Sequence, residues 1–319
     1  MDNNSWLCST GPATITSPEN LIHLKENRGN STENEFITII KKEGEHLMVW
    51  GDLNDFSMYL IVEHPKFFII KNSISLIDSE KFKATIVYFA NNNKIQKELI
   101  FQIPYEYQEN NKIVKIETKN YSDLSINPEI SDGIKLTYED GGSFCFFFNF
   151  EFINQFLLTN PELFKIHLLI KYIGISFNRD ALERLCDHST RNRIESNNNN
   201  HLNKSISVIL YRYKEGELNI VNNFQQTLEG IEATLVQYFK PEENTEWLNF
   251  PNSKSKLADE LRKKFKKIIV CVSEPRLGYY YTQYRSIKKN RTLNAYGNQV
   301  VSALGIQDEN INHIINLTL

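Results

Sequence analysis

Nine short runs of β-branched and aromatic residues follow one another between Glu35 and Phe150: EFITII, HLMVW, MYLIVE, FFIIK, ATIVYF, ELIFQI, KIVKIE, GIKLTY and SFCFFFNF. Each is bounded by Asn, Asp, Gly or Lys clusters, which is the pattern of strands separated by turns. The spacing is near ten residues, and EDGG at 139–142 is a strong turn signal. These features predict antiparallel sheets in a sandwich or barrel over residues 1–150. An aromatic content of 12%, with 20 Phe and 15 Tyr, suits such sheets. The polar first thirty residues, rich in Asn, Ser, Thr and Glu, read as loop. His23, His46 and His64 stand isolated, without metal-ligand spacing, so this half offers no chemical motif.

The pattern changes near residue 150. FINQFLL reads as a short helix, and KIHLLIKYIGI (165–175) as a buried strand. In RDALERLCDHSTRN (179–192), Ala181, Leu182, Leu185 and Cys186 fall on one helical face. ESNNNNHLNKS (195–205) reads as a polar loop and SISVILYRY (205–213) as a strand. Residues 222–240 form a helix stopped by Pro241, and residues 254–267 a further helix. IIVCVSE and LGYYYTQYRS read as strands, and a helical tail is expected at the end. Fold class is therefore α+β: an N-terminal, mainly antiparallel β domain (1–150), then a module of strands and helices (151–319).

Composition narrows the function classes. Cys8, Cys145, Cys186 and Cys271 are far apart and form no CxxC, which argues against a zinc ribbon or a disulfide framework. The start, MDNNSWLCST, lacks a basic and an apolar signal region, and no apolar run is long enough for a membrane helix. A cytoplasmic protein with no membrane partner is expected. The net charge of −3 is divided unevenly. Residues 1–160 carry 14 Lys and Arg against 22 Asp and Glu, a balance of −8; residues 161–319 carry 22 against 17, a balance of +5. That asymmetry favours a polyanion on the second half. RKKFKK (262–267) and RSIKKNR (285–291) are candidate backbone-binding segments, and LGYYYTQYR offers aromatics for base stacking.

The chemistry-bearing residues lie in the second half. Arg184 and His188, four apart, project from one face of a helix. An Arg forks onto phosphate oxygens, and a His exchanges protons near neutral pH. Glu232 lies beside the apolar stripe of Ile231, Leu235 and Tyr238 or Phe239. One carboxylate with waters and phosphate oxygens suffices for Mg²⁺.

In order, Tyr172-Ile173-Gly174, Arg184-x-x-x-His188, Glu232 and Pro241-x-x-Asn244 resemble the GIY-YIG nuclease family. The likeness covers roughly residues 144–250, about a third of the chain; EATLVQYFKPEEN is especially similar to the form in the nuclease subunit of bacterial excision repair, and the RLCDHS and EATLVQYFKP helices also resemble a diverged bacterial subgroup with large additions around the module. No GIY is found, and the candidate first strand, SFCFFFNFEF, has Phe where the family has its first Tyr.

The resemblance implies a small antiparallel sheet flanked by helices, with C-terminal additions. It implies a metal-dependent DNA endonuclease in which Mg²⁺ or Mn²⁺ sits on Glu232. Arg184 would clamp a non-bridging oxygen, and Tyr172 and His188 would orient and deprotonate water. Gly174 and Asn244 would position the site, with Lys171, Arg179, Arg191 and Arg193 as candidate nucleic-acid contacts. Defence against foreign DNA is one context for such an enzyme. The N-terminal β domain would serve a protein partner or self-association. The missing GIY leaves an alternative open: a non-catalytic nucleic-acid- or protein-binding subunit on a decayed nuclease fold.

Overall fold

The computed structural model describes residues 5–18, 32–34, 37–42, 45–50, 56–90, 93–103, 112–121, 129–176, 184–185, 189–199, 203–215, 223–252, 254–282 and 311–319. The chain is α+β and mostly strands, with four α-helices among the described residues.

The main sheet has seven strands. They are β1 (Ser5–Thr16), β5 (Met58–Pro65), β14 (Ile166–Ile175), β15 (Lys204–Glu215), β16 (Lys267–Ser273), β17 (Gly278–Tyr281) and β18 (Ile311–Thr318), in the order β17-β14-β5-β15-β1-β16-β18. The pairs β1–β16 and β14–β17 are parallel and the others antiparallel. It is thus a large mixed sheet rather than the small antiparallel one expected. A six-stranded sheet, β10-β12-β13-β4-β3-β2, contains β2 (Thr32–Asn34), β3 (Ile37–Lys42), β4 (Glu45–Trp50), β10 (Ile113–Lys119), β12 (Gly133–Tyr138) and β13 (Ser143–Phe147). The third sheet contains β6 (Phe68–Ile70), β7 (Ser75–Leu76), β8 (Lys81–Ala90), β9 (Asn93–Gln102) and β11 (Ile130–Ser131). Every pair in it is antiparallel.

The helices are α1 (Phe150–Phe156), α2 (Ser189–Asn199), α3 (Phe224–Phe239) and α4 (Lys256–Arg262). Asn149 and Asn223 cap α1 and α3, accepting from Phe152 N and Gln226 N at 3.1 Å each. Lys240, before Pro241, turns left-handed at φ 49° and ends α3.

Several expectations change. The predicted division at residue 150 meets a sheet that crosses it, because β1 and β5 are interior strands among those of the second half. The first thirty residues, expected as loop, contain β1, whose Trp6, Cys8 and Ile15 are buried. Its polar composition hid the strand; Gly11-Pro12 falls at the register shift between Thr10 and Ala13, where a bulge accommodates both residues. The loop expected at 195–205 is helical to Asn199, because Ile194 packs in the core and Arg191 pairs with Glu195 one turn on. The helix expected over 254–267 spans only Lys256–Arg262, and Phe265 beyond it stacks on Trp6. The expected helical tail is instead the strand β18.

Two apolar clusters lie on opposite faces of β5. Met58, Leu60 and Val62 enter the main core with α3, whereas Tyr59 and Ile61 join Leu185, Ile194, Val208 and Leu210. Gly230 lets α3 approach β1: a Cβ there would lie 2.6 Å from the Trp6 ring. No helix among the described residues is long and apolar enough to cross a membrane.

Candidate functional site

The site begins with a defect in β14. Ile166, Leu168 and Ile170 enter the main core, and strict alternation would send Tyr172 and Gly174 after them. Instead the register against β5 shifts between Ile170 and Tyr172, so Lys171 is an extra residue and Ile173 and Ile175 take the core positions. Tyr172 and Gly174 therefore turn to the face that carries Tyr59.

The strand antiparallel to Tyr172-Ile173-Gly174 is β5, with Gly174 opposite Tyr59 and Ile173 opposite Leu60. This corrects the expectation that the 143–152 strand, with its Phe, stood in that place. β13, which occupies that segment, pairs with β12 and β4 in another sheet. The rings of Tyr59 and Tyr172 lie 6.2 Å apart, tilted by 34°. They crowd over Gly174, where a Cβ would come within 2.7 Å of both tyrosine side chains. Only glycine lets the two rings meet across this strand pair.

Arg184 reaches the pair, its Nε donating to the Tyr59 hydroxyl at 3.3 Å. Burial works against its charge, but Tyr59, Tyr172 and Glu232 outweigh that effect and hold it firmly cationic. Burial raises the Tyr59 hydroxyl, and Tyr172 adds to the shift. Tyr172 is raised too, by burial and then by Glu232. Both phenols are protonated at neutral pH.

Glu232 sits mid-helix on α3 within electrostatic range of Tyr59, Tyr172 and Arg184. Burial raises its pKa to about 8. Arg184 and a hydrogen bond from Trp247 oppose that rise, while Glu246 and Glu229 reinforce it. A half-buried carboxyl group with other carboxylates in electrostatic range suits a cation partner. Among the described residues no group of three or more His, Cys, Asp or Glu could hold a metal. The donor set is thus one protein carboxylate, with Glu246 nearby, which fits a hydrated Mg²⁺.

Asn244 is buried and clamps β14. Its Oδ1 accepts from Ile173 N at 2.9 Å, and its Nδ2 donates to Ile173 O at 2.8 Å. The amide satisfies both backbone groups of the residue between Tyr172 and Gly174, as a neighbouring strand would.

The structure thus brings together Tyr172, Gly174, Arg184, Glu232 and Asn244. His188 and Arg179 lie outside the described residues. Among the candidate nucleic-acid contacts, Lys171 forms an ion pair with Glu242 at 2.6 Å, and Arg193 pairs with Glu243. Arg191 is only 5% exposed and bonds Asn192 at 2.8 Å, so it does not offer a free surface guanidinium. RKKFKK spends Arg262 on Asp259 and Phe265 on the core, and RSIKKNR lies outside the described residues. In LGYYYTQYR, Tyr280 is fully buried with its hydroxyl against that of Tyr211, so it is a packing residue.

Tyr59 is the residue that sequence reasoning missed. Its local signal is MYLIVE, a good strand with one tyrosine, but residues 66–165 separate β5 from β14. Tyr121 and Phe147 pack beside the same cluster. No protein-family model, no curated protein and no solved structure matches the chain.

Proposed function

We propose that the chain is a metal-dependent DNA endonuclease, a diverged member of the GIY-YIG nucleases in which Tyr59 takes the part of the first tyrosine. What supports the reading is the convergence of Tyr59 and Tyr172 over Gly174, with Arg184 bonded to Tyr59 and Glu232 in electrostatic range of all three side chains. The long insertion between β5 and β14 puts this tyrosine far from Tyr172 in the chain, and Ser57-Met58 stand where the family has Gly-Ile. A tyrosine at that place weighs against a decayed, binding-only fold.

The chain's own residues divide the work. Arg184, permanently charged and partly desolvated, holds a non-bridging phosphate oxygen and stabilises the charge that grows on it. Tyr59 and Tyr172, protonated at rest, orient the attacking water by hydrogen bonds. Glu232 would hold Mg²⁺ or Mn²⁺, with Glu246 adding negative potential. When bound, that ion supplies charge neutralisation at phosphorus and at the leaving oxygen. Asn244 and Gly174 keep Tyr172 in place. The six-stranded and third sheets, built mostly from the acidic part of the chain, serve a protein partner or self-association rather than phosphate contact.

The test is incubation of purified full-length protein with plasmid, branched and single-stranded DNA, in Mg²⁺, in Mn²⁺ and in chelator. Cleavage is expected only with the divalent ion, and the Glu232→Gln and Arg184→Ala variants should lose it. Cleavage that survives both substitutions, or that proceeds in chelator, refutes the assignment.

A further inference from the structure

β9 is an outer strand of the third sheet: among the described residues its only strand partner is β8. Which of its backbone groups face outward follows from Ile100. Its N–H donates to Thr159 Oγ1 at 3.1 Å, and its carbonyl accepts from Leu158 N at 2.8 Å. Both bonds lie on the side away from β8, and outward-facing residues alternate along a strand. Lys94, Gln96 and Glu98 therefore present their N–H and C=O groups outward as well. Thr85, opposite Glu98, turns its own N–H the other way, onto Ser73 Oγ at 3.0 Å, as this phase requires. Among the described residues nothing bonds the outward backbone groups of Lys94, Gln96 and Glu98. A row of such groups is a template for a further strand. The open stretch is short. β9 begins at Asn93, and segment 157–159 covers the edge from Ile100 onward, with Phe101 bridged to Leu157. From Asn93 to Leu99 it is centred on Gln96. Lys97 does not obstruct it: its Nζ donates to Leu163 O at 2.8 Å and sits 5.7 Å over the Phe164 ring.

We propose that this edge pairs with the same edge of a second copy of the chain, antiparallel about a two-fold axis at Gln96. Two third sheets then join into one. A two-fold contact sets one patch against itself, so the patch must be self-complementary. Charge chooses the register, because outward-facing residues pair with outward-facing residues. An axis at Lys94 or at Glu98 sets like charges face to face. An axis at Ile95 or Lys97 leaves Lys94 and Glu98 unmatched, and the second runs the strand into segment 157–159. Only the axis at Gln96 sets Lys94 opposite Glu98, twice, and it is also the centre of the open stretch. Glu98 already lies 3.9 Å from Lys83 of β8, so its carboxylate sits between two ammonium groups. Ile100, Leu158 and Leu163, three of the six large apolar side chains exposed among the described residues, lie beside this edge, where the β8–β9 end of the second copy comes to rest. This rests on the reading that the third sheet serves association, and on nothing at the Tyr59–Tyr172 site.

The test is analytical ultracentrifugation of the full chain, without DNA or metal, from about 1 to 100 µM, the range that suits a small interface. The parent should pass from monomer to dimer across it. Lys94→Glu and Glu98→Lys should each raise the dissociation constant at least about ten-fold, and the double charge swap should return it to within about three-fold of the parent. Gln96→Pro removes an outward N–H that β8 does not use, so it should abolish the dimer at a parental melting temperature. Gln96→Cys should give a disulfide-linked dimer in mild oxidant beyond the parent's background, because residue 96 faces its own copy; Lys94→Cys, which faces Glu98, should not. A parent that stays monomeric throughout, its edge then open to a strand of some other protein, overturns the proposal. So does a dimer that is indifferent to the charge series or cross-links equally at both positions. If Gln96→Pro does not fold, the charge series and the two cysteine variants decide. A dimer of this kind without cleavage defeats the nuclease reading alone, and an active monomer defeats this interface alone.

Discussion

Replacing Glu232 with Gln removes a carboxyl group that the fold holds far from its ordinary ionisation. Burial is the largest cause, and the group moves from 4.5 to about 8. At about 1.4 kcal/mol per decade, the folded state prefers the neutral form by up to roughly 5 kcal/mol. The side chain keeps partial access to solvent, so about half of that, 2–3 kcal/mol, is the expected effect. The sign follows from proton binding. Between pH 4.5 and about 8 the folded chain retains a proton that the unfolded chain has released. Metal-free stability therefore falls as pH rises through that window and levels off above it. The Glu232→Gln variant lacks this loss. In chelator it should match the parent near pH 4.5 and melt about 3–5 °C higher above pH 8, taking the entropy of unfolding in proportion to chain length. Mg²⁺ should then stabilise the parent and leave the variant unmoved, because only the parent offers the carboxylate. Thermal melts by fluorescence, with and without Mg²⁺ across this pH range, check both statements. Parallel pH profiles for the two proteins, or a variant less stable than the parent above pH 8, would refute the placement of Glu232 as a desolvated metal carboxylate.

Arg184→Ala should slow cleavage by about 10²–10³ while changing DNA affinity little, as measured by single-turnover kinetics and fluorescence anisotropy; equal losses in both would mark a binding residue instead. Tyr59→Phe keeps the buried ring but removes the hydroxyl that accepts from Arg184. A loss of about 10² in rate with an unchanged melting temperature is expected, and a parental rate would remove Tyr59 from the mechanism. Asn244→Ala strands the buried N–H and C=O of Ile173, costing about 2–4 kcal/mol. Its melting temperature should drop by roughly 3–6 °C, and an unaltered melt would show that the clamp is dispensable.

Most strands and helices were legible because side-chain periodicity is local: each β run in residues 35–150 named above is a strand, and α3 lies within its expected span. Tyr172, Arg184, Glu232 and Asn244, singled out in the sequence by their order, are drawn near one another by the fold. Three things belonged to the tertiary structure. β1 is a strand because β15 and β16 pair with both its edges, a stabilisation that its Ser- and Thr-rich sequence, broken by Gly11-Pro12, does not advertise. Tyr172 faces Tyr59 because one extra residue, Lys171, reverses the alternation of β14; a bulge depends on the partner strand and leaves no trace in a single strand's pattern. Tyr59 itself joins the site across residues 66–165, since sheet pairing brings together residues that the order of the chain holds apart. Local pattern decides which residues can form a strand; which strands lie side by side, and therefore which side chains share a site, is decided by the burial of both faces of β5 between two clusters that only the folded chain assembles.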